Sequence, residues 1–346
     1  MKFPRLAWLF GFSILLVGLT RFPLMPAHLF SFDTVNLALA LEDFDPTRNQ
    51  PQPPGYPLFV LEARLVRLLA GTPERTFAIL NVLVCGLALG MLYLLGKRMF
   101  SPWIGMTAAA LLFVNPPFWY SGLTSPLRPH LALLSILVAY CCWRASHGEE
   151  RYFEWASLVL GLGAGFRPEL LVFLFPLWAW TAWQCRRVRL LVRGVFILGL
   201  SNAVWLAVLA GSGGTAEIIP TFSAYLFAQT QDTSVLLDAT ASWRRTAGRA
   251  IIWTGLGTLP WIGTLPFAWK DRYWLPDWTR TLPFLALWFT PAFLFHFAVH
   301  IGDPDHALST IPALCLVGGF SIVAAERFLS RDWIPELKER GYLIWL

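Results

Sequence analysis

Apolar runs of roughly membrane-crossing length recur along this chain, and that recurrence limits its fold more than any other feature. They cover residues 6–24, 76–96, 103–120, 130–146, 153–166, 169–184, 190–210, 249–269, 281–299 and 307–325. A bilayer core takes about 20 mostly apolar residues per crossing helix. The chain is 346 residues long, enough for about ten crossings with short connections. Hydrophobic residues make up 56% of it and charged ones only 14%. A soluble domain carries about a quarter charged residues, so a soluble fold is excluded. The expected fold is all-α, a polytopic transmembrane helical bundle.

Charge on the connections orients the bundle. Lys2 and Arg5 precede the first run, and Arg21-Phe22-Pro23 follows it in place of a small-residue cleavage site, so it reads as an uncleaved first helix. With the N-terminus inside, the inner connections fall near 97–102, 144–152, 185–193, 270–280 and from 326 onward. Lys2, Lys97, Lys270 and Lys338 all lie on that side, as do Arg186, Arg187, Arg189 and Arg193. This is the positive-inside pattern. It requires residues 153–184 to enter and return as a hairpin. The transmembrane domain then spans 1–326, with outer segments at 25–75 and 211–248 and a short third at 300–306. Residues 327–346 read as a cytoplasmic amphipathic tail. The net charge of +6 is scattered between apolar runs, which argues against nucleic acid as a partner. Cys85, Cys141, Cys142, Cys185 and Cys315 all sit in or beside apolar runs and read as small core residues.

The outer segments hold the polar chemistry. Apolar residues recur at helical spacing after Asp33, so Asp33-Thr34 stands where a helix N-cap would. Asp33 therefore has two readings, a cap and a base at the membrane face. Downstream, Gln50-Pro51-Gln52-Pro53-Pro54-Gly55-Tyr56-Pro57-Leu58-Phe59 is stiffened by its prolines and leads into an interfacial helix with Glu62, Arg64 and Arg67 on its polar side.

The order Asp33, Gln52-Pro53-Pro54-Gly55-Tyr56-Pro57-Leu58-Phe59, then Asn81 resembles the first outer loop of C-type (GT-C) membrane glycosyltransferases. The likeness is greatest to the branch related to protein O-mannosyltransferases. Asn115-Pro116-Pro117-Phe118-Trp119-Tyr120 resembles that family's third-helix exit. Gly161-Leu162-Gly163-Ala164-Gly165-Phe166-Arg167-Pro168-Glu169 resembles its half-helix junction. The resemblance covers residues 1 to about 185. It implies sugar transfer from a polyprenyl-phosphate donor on the outer face, with Asp33 as general base, because a carboxylate can take the proton of an acceptor hydroxyl as the sugar leaves phosphate. The chain departs from that pattern at Asn36 and Gln52, and at Ser125–His130, where the family carries a carboxylate.

A phosphate donor needs cations, and the planar guanidinium fork suits phosphate oxygens. Arg167, between two apolar half-helices, is a functional candidate because an ionised group there is costly; pairing with Glu169 is its structural alternative. Arg128 and His130 lie at an outer helix end. Arg244 and Arg245 precede a run on the outer side, where they contact substrate or start a solvated helix. Gln52 and Tyr56 of the stiff loop, and Asp305 and His306 of the last outer connection, complete the substrate-facing set. Residues 300–306 also read as a plain tight turn, and a divalent metal is not favoured there. The expected activity is a membrane glycosyltransferase (a hexosyltransferase) of the cytoplasmic membrane, both termini cytoplasmic, with a polyprenyl-phosphate sugar, membrane lipids and a protein or glycan acceptor as partners. A lipid or solute transporter (a flippase) and a catalytically inactive scaffold are the alternatives.

Overall fold

A computed structural model describes residues 3–213, 215–231, 234, 243–271 and 277–332. The chain is a multi-pass membrane protein. Five helices are each long and apolar enough to cross a bilayer: α1 (Phe3–Arg21), α4 (Pro73–Met99), α10 (Val188–Gly213), α14 (Trp278–Ala298) and α15 (Ile311–Asp332). Shorter helices pack among them: α5 (Pro102–Val114), α6 (Pro116–Thr124), α7 (Pro129–Ser146), α8 (Arg151–Phe166) and α9 (Glu169–Cys185). Two more, α2 (Phe32–Leu39) and α3 (Pro57–Ala70), lie in the first long connection. Then α11 (Thr215–Thr230), α12 (Trp243–Leu256) and α13 (Leu265–Asp271) separate α10 from α14. The proposed tail beyond Asp332 lies outside the described residues.

Local chemistry sets the helix starts. Thr72-Pro73, Ser101-Pro102 and Asn115-Pro116 each place a side-chain oxygen at the N-cap and a proline at the first helical position. Proline is suited there because its missing N–H would be unsatisfied anyway. The same chemistry divides two of the expected crossings. Residues 103–120 are split between α5 and α6, since Pro116 and Pro117 supply no donors to the preceding turn. Arg21, fully buried at the end of α1, compensates: Nη2 donates to the Phe113 carbonyl at 3.2 Å and Nη1 to that of Phe118 at 3.3 Å. Residues 249–269 likewise form no single helix. α12 stops at Leu256, and Gly257 to Thr264 turn before α13 begins.

Packing follows from small residues and aromatic rings. α4 lies against α1, α5 and α7. A Cβ on Gly96 would sit 2.6 Å from the Gly105 Cα, so only glycine lets α4 and α5 approach this closely. α8 and α9 fold back on each other as an antiparallel hairpin. Phe153 stacks on Trp178 at 5.0 Å, and the Trp178 indole donates to Ser157 at 2.8 Å. α7 covers the hairpin on one side, while α10 runs along α8.

The helices join two unlike ends. At one end ion pairs knit the connections together: Arg98 to Glu149 at 2.7 Å, Arg144 Nε to the same carboxylate at 2.7 Å, Arg187 to Glu150 at 2.9 Å and Arg193 to Glu154 at 3.4 Å. The other end carries α2, the stiff loop, α3, α6, α11 and a 3-10 turn at Pro304–Ser309.

Candidate active site

At the second end the polar residues of five separate segments converge. α2 supplies Asp33, in the first turn of the helix. The N-cap is Ser31 and not Asp33: its Oγ accepts from the Thr34 N–H at 3.3 Å. A shift of two residues in where the helix is capped thus frees the Asp33 carboxylate from capping. It is solvent-accessible. Partial desolvation raises its pKa; Arg128 and Arg167 pull it back, and Asp303 and Asp305 push it further up.

The stiff loop supplies Tyr56. Pro51, Gln52, Pro53, Gly55, Tyr56 and Pro57 are all buried, so the loop is a wall rather than a surface feature. Gln50-Pro51 and Pro53-Pro54 are cis. Gly55 has φ 100°, and a Cβ there would meet the Pro46 ring at 2.6 Å, which leaves glycine as the one residue that fits. The Tyr56 hydroxyl accepts from Arg167 Nη1 at 3.2 Å, and the guanidinium lies 5.0 Å from the ring centre. Burial raises the phenol pKa, so Tyr56 stays neutral. Gln52 is buried beside this wall with Oε1 lacking a hydrogen-bond partner. α3 is held to α2 by Arg64, which donates to the Leu41 and Ala40 carbonyls at 3.1 and 2.9 Å.

The hairpin tip supplies Arg167, paired with Glu169 and buried. Its structural and functional readings thus coexist, because one face of the guanidinium meets Glu169 and another meets Tyr56. The start of α7 supplies Arg128, whose surroundings differ. It is buried, its Nε lies 3.7 Å from Asp305 Oδ1, and its Nη1 has no hydrogen-bond partner. His130, only two residues on, turns the other way. Its Nε2 meets Glu62 at 2.9 Å, and its ring stacks on Phe166 at 5.1 Å, tying α7 to α3.

The 3-10 turn supplies Asp305 and His306. Asp303 caps it, with its side chain accepting from the His306 N–H and His306 Nδ1 accepting from the Asp303 N–H at 3.1 Å. Asp305 is buried, and desolvation raises its pKa while Arg128 and Arg167 oppose the rise. His306 is kept neutral by burial and by the same two arginines. Asp303, Asp305 and His306 offer ligand atoms within 4.8 Å of one another, so these three could hold a divalent cation. Two of those side chains already serve the turn, whose order the capping box accounts for by itself.

Asp33, Tyr56, Arg128, Arg167, Asp305 and His306 are therefore brought together. Arg244 and Arg245 stand exposed at the start of α12, and none of the described contacts ties them to the cluster. Tyr225 of α11 was not foreseen; its phenol lies in the field of Tyr56, Asp33, Arg167 and Arg128. Its only sequence signal was its place in the second long outer segment.

Comparison with known proteins bears on the fold. A family model described as dolichyl-phosphate-mannose-protein mannosyltransferase matches residues 51–211. The undecaprenyl phosphate-α-4-amino-4-deoxy-L-arabinose arabinosyl transferase 2 of Proteus mirabilis (strain HI4320) is 26% identical over 283 residues, which cover 77% of this chain and 48% of that protein. The chain thus spans about half the length of that curated relative. The crystal structure of ArnT from Cupriavidus metallidurans bound to undecaprenyl phosphate superposes with a TM-score of 0.67 at 16% identity, over 98% of this chain and 68% of ArnT. Its apo form gives 0.63. By the helical architecture of its described residues and this superposition, the chain has the GT-C fold.

Proposed function

We propose that this protein moves a sugar from a polyprenyl-phosphate donor to an acceptor hydroxyl at the outer membrane face. The observation that carries the reading is Arg128 Nη1, a buried, charged donor without a partner beside a second buried arginine and an accessible carboxylate. An unsatisfied buried donor costs about 1–3 kcal/mol, more when charged. An anion placed there removes that cost, and phosphate matches the guanidinium fork. The relative's name and the ArnT complex both concern undecaprenyl phosphate, which supports the donor class.

The chemistry follows from the arrangement. The acceptor oxygen attacks the anomeric carbon, and the bond from that carbon to the phosphate oxygen breaks. Asp33 takes the acceptor proton, and its raised pKa brings it nearer the value at which a base works best. The phosphate leaves with the electron pair, and Arg128 and Arg167 hold the charge that develops. Tyr56 and Glu169 keep Arg167 in place. The concentration of Lys97, Lys270 and the paired arginines at the other end supports an outward-facing site in a cytoplasmic membrane. Hexose as the sugar, and protein or glycan as the acceptor, complete the proposal.

The test is transfer from a labelled polyprenyl-phosphate sugar in membranes containing the chain, wild type against Asp33→Asn. General-base catalysis contributes about 10²–10⁴-fold, so the variant is expected to lose activity by that factor while still binding donor. Equal transfer by both would remove Asp33 from the mechanism.

A further inference from the structure

The end opposite the candidate active site carries a second built feature. α9 and α10 are joined by Arg186 and Arg187 alone. Arg186 is left-handed, with φ 51° and ψ 28°, and this reverses the chain sharply. The two helices then diverge, because α10 packs along α8 while α9 packs along α7 and α14. A groove of about 410 Å³ opens between them, lined by Trp178, Ala179, Ala182, Trp183, Val188 and Leu191, with Arg186 and Arg187 at its mouth.

Its chemistry is two-part. The walls are aliphatic and aromatic. Val188 is 75% exposed and Trp183 65%. The mouth is cationic. Arg187 shares its charge with Glu150 and Arg193 with Glu154, but Arg186 and Arg189 are exposed and have no carboxylate partner among the described residues. An apolar slot that ends in one unneutralised guanidinium, Arg186, beside the Glu150-paired Arg187 fits a molecule with an acyl chain and an anionic head. The volume is within the range of about 300–1,000 Å³ typical of small-molecule sites.

We propose that this groove binds one anionic phospholipid of the surrounding membrane, its acyl chain between α9 and α10 and its phosphate on Arg186 and Arg187. The charge balance at the mouth favours an acidic headgroup over a zwitterionic one, whose own cation would face the arginines. The proposal is independent of the reaction at the other end.

The full chain in nonionic detergent, titrated with phosphatidylglycerol or with phosphatidylcholine of the same chains and read by native mass spectrometry, tests it. A basic residue near an anionic lipid surface is worth about fivefold in affinity. Arg186→Gln is therefore expected to weaken phosphatidylglycerol binding about fivefold, and Arg186→Gln with Arg187→Gln by more than that. Arg151→Gln, which removes an exposed cation at the same end but outside the groove, should leave binding unchanged. Ala182→Trp fills the slot without altering charge and should abolish the preference for phosphatidylglycerol. Equal binding of the two lipids would overturn the proposal, as would equal weakening by Arg151→Gln and Arg186→Gln, or indifference to Ala182→Trp. Tighter binding of undecaprenyl phosphate than of phosphatidylglycerol at the Arg186-sensitive site would assign the groove to the donor instead, and would equally overturn it.

Discussion

The two ends of this bundle use arginine in opposite ways. At one end, Arg98, Arg144, Arg187 and Arg193 each face a glutamate, in partly exposed connections where such pairs are screened and contribute little individually. At the other end Arg128 and Arg167 are buried, and only Arg167 has a close carboxylate. Arg128 has a carboxylate at 3.7 Å and one nitrogen unused. Paired, exposed charge is how a chain closes off a surface. Buried charge left partly unpaired carries a cost that a bound anion would remove. The contrast supports the proposed donor site at the second end without reference to any relative.

The largest expected effect comes from breaking the pair at the second end. Arg167→Gln leaves Glu169 buried without its cation, and breaking a buried pair from one side costs about 3–5 kcal/mol. A marked loss of thermal stability in detergent is the expected outcome. If stability is unchanged, Glu169 is not held by Arg167. Arg128→Gln should behave differently although the two arginines belong to one cluster. Its carboxylate neighbour Asp305 is 3.7 Å away and has a raised pKa, so it can take a proton when the cation is lost, and thermal stability should move less than in Arg167→Gln. A hydrogen bond to a charged group is worth about 1.5–3 kcal/mol, so polyprenyl-phosphate binding should weaken by roughly 10- to 100-fold. A large stability loss with unaltered binding would invert the roles assigned to the two residues.

A pH profile sharpens the same comparison. As the proposed base Asp33 would work as its carboxylate, so kcat/KM should fall as pH drops through its folded-state pKa. Burial raises that pKa, so the acid limb lies above the ordinary carboxylate value of 3.8. Arg128 lowers it, so in Arg128→Gln the limb should shift to higher pH. A shift to lower pH would show that Arg128 does not act on Asp33. The smallest effect belongs to the paired end. Glu149 meets both Arg98 and Arg144 there, yet Glu149→Gln should cost only about 1 kcal/mol or less and leave sugar transfer unchanged, as melting and activity assays would show.

Much of this asymmetry was legible in the residues, and some of it was not. The apolar runs, the lysine distribution and the Pro-Pro-Gly-Tyr-Pro loop are local patterns, and each can be read without knowing what it packs against. Proline positions were legible too, but their consequence was missed at residues 103–120, where the break at Pro116 depends on a donor delivered from Arg21. At Asp33 the spacing pointed to a cap. The helix in fact begins at Phe32, because Ser31, two residues before Asp33, supplies the cap. Tyr225 gave no signal, since its role in the cluster depends on where α11 comes to rest.

By itself, the sequence determined the class of the protein: hydropathy sums over neighbouring residues, so membrane residence and helical structure follow from composition and order along the chain. Only the tertiary structure decided which charges meet. Arg128 and His130 are two residues apart, yet one faces Asp305 and the other faces Glu62, 68 positions back along the chain. Arg167 and Tyr56 are 111 positions apart and hydrogen-bonded. Whether a buried guanidinium is satisfied or left with a free donor depends on contacts of that range, which no local pattern encodes. That is why the chain order pointed to the candidate loop, and the packing singled out Arg128.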